Sequence, residues 1–108
     1  ELKHGTLALV TPGVPVFALV TQGHVYEKTV SNIQEVKARG AEVIAVAYED
    51  DQLIGRSVDQ VIRIPRVHDL LAPVVAIVPL QLLAYHVARE RGHDIDQPRN
   101  LAKSVTVE

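Results

Sequence analysis

The chain has 108 residues, with Lys+Arg 11 against Asp+Glu 13, 47% hydrophobic residues and no Cys, Met or Trp. That is the length of one small domain with enough apolar content for a core, and scattered basic residues at a net charge of -2 leave no electrostatic footprint for a nucleic acid. The missing cysteine excludes a disulfide framework, a thiolate metal site and a cysteine nucleophile from this stretch.

Glu1 opens the chain with neither an initiator Met nor a signal peptide, which predicts a processed or excised segment. Glu1 to Leu9 (ELKHGTLAL) reads as one or two helical turns running into the breaker Thr11-Pro12-Gly13. Val14 to Val20 (VPVFALV) is a short apolar run, predicted as a strand buried on both faces. From His24 to Arg39 the positions Val25, Thr29, Ile33 and Val36 recur at helical spacing among charged residues. They predict an amphipathic helix closed by Gly40. Glu42 to Tyr48 (EVIAVAY) is a second buried strand followed by the polar turn Glu49-Asp50-Asp51, and Gln60 to Ile64 (QVIRI) is a third, stopped by Pro65.

Leu70 to Ala88 is the longest apolar stretch, approaching the ~20 residues of a membrane span. Pro73, Pro79, Gln81, His86 and the charges at either end fit a buried core helix better. Pro73 suits a first turn capped by Asp69, and Pro79 should kink or divide the helix. Beyond Gly92 the residues lose periodicity and read as an irregular tail.

Strand, helix, strand, loop, strand, helix predicts an α/β fold of three layers, with a parallel sheet of flavodoxin or Rossmann type and right-handed crossovers. Three strands make a narrow parallel sheet. The remaining strands are expected before Glu1, so that the sheet is incomplete at its N-terminal side.

Two places in the chain invite a chemical reading. Glu1 and His4 are three apart and would share a helix face, where a carboxylate can fix an imidazole for proton transfer; a surface pair of helix-end charges is the plainer alternative. Lys103, in a tail with Ile95, Leu101, Val105 and Val107 as anchors, could act as an amine nucleophile if pinned in a pocket, or stand solvated. His24, His68, His86 and His93 lack metal-ligand spacing.

Three stretches carry a resemblance that composition cannot supply. They are Glu1-Leu2-Lys3-His4-Gly5, the core run Val78-Pro79-Leu80-Gln81-Leu82-Leu83-Ala84-Tyr85-His86, and the tail from Asp96 to Glu108 (DQPRNLAKSVTVE). Together with Ser31 to Gly40 (SNIQEVKARG) they resemble the C-terminal end of the glucosamine-6-phosphate synthase family, the glutamine:fructose-6-phosphate amidotransferases, and the likeness covers the whole chain. It implies an incomplete SIS (sugar isomerase) subdomain, the family's second, over residues 1–92, and a tail closing the active site over residues 93–108.

The resemblance further implies an enzyme segment working on fructose 6-phosphate and ammonia to give glucosamine 6-phosphate, without metal or cofactor, in a cytoplasmic homodimer. His4 is similar to the family's ring-opening acid/base, contributed to a neighbouring protomer. Lys103 matches its Schiff-base lysine, Ala102 a residue touching the sugar, and Arg99 lies in the tail that closes the site. The proton-transferring glutamate, the phosphate loop, the first subdomain and the glutaminase domain would lie before Glu1. Thr6 departs from the family, which commonly has Pro there. The other class of reading is a noncatalytic SIS module that binds a phosphosugar as a signal. The intact DQPRNLAKSVTVE tail speaks against it, because such a module needs no imine-forming lysine.

Overall fold

A computed structural model describes residues 2–97. The chain divides into two compact units, Glu1–Ala76 and Ile77–Glu108. The first holds the sheet.

Three parallel strands, β1 (Pro15–Val20), β2 (Glu42–Tyr48) and β3 (Gln60–Ile64), lie in the order β1-β2-β3. Val16 pairs with Val43 and Val46 with Ile62. Between β1 and β2 a 3₁₀ turn, Gly23–Val25, continues into helix α1 (Tyr26–Lys37). The helical period buries Ile33 and Val36 against Val20, Val43, Ala45 and Ala47, so one face of the sheet and the apolar stripe of α1 form the main core. On the opposite face Val46 and Tyr48 are buried, as are Ala72 and Ala76 at the start of helix α2 (Ala72–Glu90). The result is the predicted α/β fold, three parallel strands in an open sheet with flanking helices.

Gly40 ends α1 as expected, for two reasons. Its φ of 83° is in the left-handed region, and a Cβ there would lie 3.1 Å from the Pro12 Cα. Gly40 N–H donates to the Lys37 carbonyl at 2.8 Å and Ala41 N–H to that of Val36 at 3.3 Å, a Schellman closure.

Four expectations need correction. β1 is half-covered: Val20 is buried, but Phe17 and Leu19 are 36% and 52% exposed. It is an edge strand with no partner on its outer side among the described residues. Helix α2 is not a buried helix. Among the described residues only Ala72 and Ala76 are buried in it, while Val74, Val78 and Leu82 are more than half exposed. Its apolar residues occupy more faces than the described chain can cover, and the stretch Asp69–Glu90 is long and apolar enough to cross a membrane by length and composition. Pro79 does not divide the helix, which runs unbroken from Ala72 to Glu90. The cap is His68, whose Nδ1 accepts from Leu70 N–H at 3.3 Å. A 3₁₀ turn at Asp69–Leu71 leads into α2 and moves the cap one residue upstream of Asp69.

Candidate functional site

His4 sits at the end of a 3₁₀ turn, Leu2–His4, and is exposed. Leu2 and Leu7 pack against the main core and so fasten this segment to the sheet unit. The Thr6 hydroxyl donates to the Leu2 carbonyl at 3.3 Å, closing the turn that presents the imidazole with a bond that a proline could not make. Glu1, the carboxylate expected beside His4, lies outside the described residues, as do Arg99, Ala102 and Lys103.

His4 opens onto a cleft of about 340 Å³, whose other wall is one face of α1: Lys28, Ser31, Asn32 and Glu35. These four recur at helical spacing, so a single stripe of α1 supplies that wall. Lys3 reaches across the cleft to Glu35, Nζ to Oε1 2.8 Å. Lys28 makes no ion pair among the described residues. The cleft thus joins an imidazole, a lysine neutralised by Glu35, a second lysine with no ion pair among the described residues, a hydroxyl and an amide, a set suited to a hydroxylated anion and to proton transfer.

A second, larger cleft of about 510 Å³ lies at the carboxyl ends of β1 and β2, where open parallel sheets place their ligand crevices. The sequence pattern marks Glu49-Asp50-Asp51 only as a turn and does not show the cluster built around it. Asp51 is its hub. Its Oδ1 accepts from Leu53 N–H at 2.9 Å, Ile54 N–H at 3.0 Å and the Tyr26 hydroxyl at 3.2 Å. Burial, together with the bond donated to Asp51, pushes the Tyr26 phenol up, so Tyr26 is a neutral donor rather than a base. Arg66 pairs with Asp50 through Nε and lays its guanidinium 4.2 Å from the centre of the Tyr48 ring. The bond to Arg66 holds the Asp50 carboxyl below the usual carboxylate range. Tyr48 has a buried hydroxyl without a hydrogen-bond partner among the described residues.

Three carboxylates, Asp50, Asp51 and Asp69, face one guanidinium, Arg66, around this crest. A phosphate there would meet net negative charge. The crest is braced rather than open to anions, and it shares no lining residue with the His4 cleft. The signal for it was present, since an acidic turn directly after a parallel strand must lie on this rim. Nothing in the sequence pattern could have paired Lys3 with Glu35, 32 positions away.

The sequence model of the SIS domain family matches residues 1–91. All 108 residues align at 61% identity with a glutamine–fructose-6-phosphate aminotransferase (isomerizing) from Thermus thermophilus, and at 59% with the protein of that name from Symbiobacterium thermophilum. The chain spans 18% of the length of each of these relatives. Among solved structures, the C-terminal domain of glucosamine-fructose-6-phosphate aminotransferase from Francisella tularensis superposes with a TM-score of 0.78 at 44% identity, over 90% of this chain and 28% of that one.

Proposed function

The chain belongs to the SIS domain family, and on that premise we propose that it serves as part of the isomerase half of an amidotransferase making glucosamine 6-phosphate from fructose 6-phosphate and glutamine-derived ammonia. The observation that carries this reading is the reach of the likeness: it covers the whole of this chain at 61% identity with a relative of that name, the His4 turn included. The remainder of such an enzyme, with its first sugar-isomerase subdomain and glutaminase domain, is the partner the segment requires, and a second copy supplies the neighbouring site. The reading places the protein in the cytoplasm.

The chemistry assigns distinct tasks to the residues. Opening the ring moves a proton from the anomeric hydroxyl to the ring oxygen, and an imidazole, with one nitrogen to accept and one to donate, suits that transfer; this is the role of His4, acting in a partner protomer's site. The Lys103 amine condenses with the C2 carbonyl of the open ketose and releases water. Ammonia adds to the resulting imine and expels the lysine amine, and a proton then moves from C1 to C2 to leave the 2-amino aldose. Ala102 touches the sugar, and Arg99 belongs to the tail, residues 93–108, that closes over it. The acidic lining of the sheet crest supports placing the sugar phosphate elsewhere than on this crest.

Substitution in the full-length enzyme tests the assignment. His4→Ala should lower synthesis by about 10²- to 10⁴-fold, with activity partly restored in heterodimers whose other protomer lacks the upstream glutamate. Lys103→Ala should abolish the borohydride-trappable adduct with fructose 6-phosphate. An undiminished adduct would remove the Schiff-base role, and wild-type turnover in His4→Ala would remove the acid/base role.

A further inference from the structure

We infer that Glu35 is a positioning residue for His4, acting through Lys3 across the cleft between the first turn and α1. The inference rests on the proposed role of His4.

The turn carrying His4 is only three residues long, 3₁₀ in form, and has no buried residue of its own. Such a turn is held by what it touches, not by its own hydrogen bonds. Leu2 fixes one side of it against the core. On the cleft side the single side-chain link to α1 among the described residues is Lys3 Nζ to Glu35 Oε1, 2.8 Å. Lys3 immediately precedes His4, so the pair sets the direction in which the next side chain leaves the turn.

Glu35 is well placed for this task. Its side chain is 29% exposed against 66% for Lys3, so the helix holds the acceptor and the flexible lysine comes to it. Its neighbours on α1, Ile33 and Val36, are buried in the core, which makes that part of the helix a rigid reference for the turn. The carboxylate has a second effect. It neutralises an ammonium one residue from the imidazole that must exchange protons.

Exposed ion pairs are weak, so the effect has a bounded size. Losing one shifts a local equilibrium by at most about fivefold, and the competent fraction of His4 turns falls accordingly. In the full-length enzyme, Glu35→Ala should lower kcat about three- to fivefold while leaving the KM for fructose 6-phosphate within about twofold and the melting temperature unchanged. Lys3→Met should do the same, and the double variant should be no worse than either single one. The exchanged pair, Lys3→Glu with Glu35→Lys, should recover most of the lost kcat, because it restores the link with reversed polarity.

A wild-type kcat in Glu35→Ala, additive losses in the double variant, or no recovery in the exchanged pair would overturn the inference. If Glu35→Ala fails to fold, Lys3→Met and the exchanged pair decide the matter, since an unimpaired Lys3→Met excludes the mechanism. His4→Ala separates this failure from that of the proposed function. A normal turnover there removes both, whereas a severe loss there beside a normal Glu35→Ala removes the positioning role alone.

Discussion

At the scale of single residues, Asp51 shows how one carboxylate organises a rim. Its Oδ1 caps two backbone N–H groups of the 3₁₀ turn Ile54–Arg56 and its approach, and also receives the Tyr26 hydroxyl, so it ties the loop after β2 to the start of α1. Ile54, directly behind it, is fully buried in the core. Asp51→Ala should therefore destabilise the chain by about 1–2 kcal/mol, seen as a lower urea midpoint with an unchanged slope; a shift within error would mean that water replaces all three bonds. The identity of this residue as a turn former was legible from Glu49-Asp50-Asp51. Its partners were not, because Tyr26 is 25 positions away and reaches it only after β1 and β2 pair.

At the scale of elements, the opposite end of the sheet has its own tie. Lys37, in the last turn of α1, meets Asp59 Oδ1 at 2.7 Å, while Asp59 Oδ2 accepts from Val43 N–H at 2.8 Å, so one carboxylate joins α1, β2 and the approach to β3. Chiefly the Lys37 bond, and then the Val43 bond, hold the Asp59 carboxyl below its ordinary value. Folding thus favours the ionised form. The stabilisation is complete above the ordinary carboxylate range and is lost as the pH falls through the lowered value. The gap in urea midpoint between wild type and Asp59→Asn should be widest at neutral pH and should narrow by about pH 3. A gap independent of pH would show that the ion pair contributes nothing. Here the elements themselves were readable: β2 and β3 fall on the runs Glu42 to Tyr48 and Gln60 to Ile64, since short apolar runs bounded by turn residues leave few alternatives. The burial of β1 was misjudged, because an edge strand and a central one share the same composition.

At the scale of the whole molecule, the exposed apolar surface is the dominant fact. Val74, Val78 and Leu82 on α2, and Phe17 and Leu19 on the open strand β1, are large apolar side chains left exposed among the described residues. An unpaired strand edge adds a template for further pairing. The 108-residue chain by itself should associate in a concentration-dependent manner and bind a hydrophobic dye. Val78→Lys with Leu82→Lys should reduce both effects in sedimentation and fluorescence measurements. A clean monomer without dye binding would show that the apolar face is satisfied in some other way. Relatives nearly six times as long supply ample chain to cover it: this segment spans 18% of their length.

The sequence by itself determined the class of fold, the bounds of β2 and β3, the closing glycine of α1 and, through its motifs, the family. Each of these follows from local period, from φ restrictions or from an uninterrupted string of residues, none of which depends on what lies far away in the chain. Tertiary structure alone decided which faces are covered, that the sheet crest is an acidic, Arg66-braced rim, and that Glu35 stands across a cleft from His4. Burial and ion pairing are properties of two surfaces brought together. A linear pattern states which residues could take part, and only the parallel closure of β1, α1 and β2 selects those that meet.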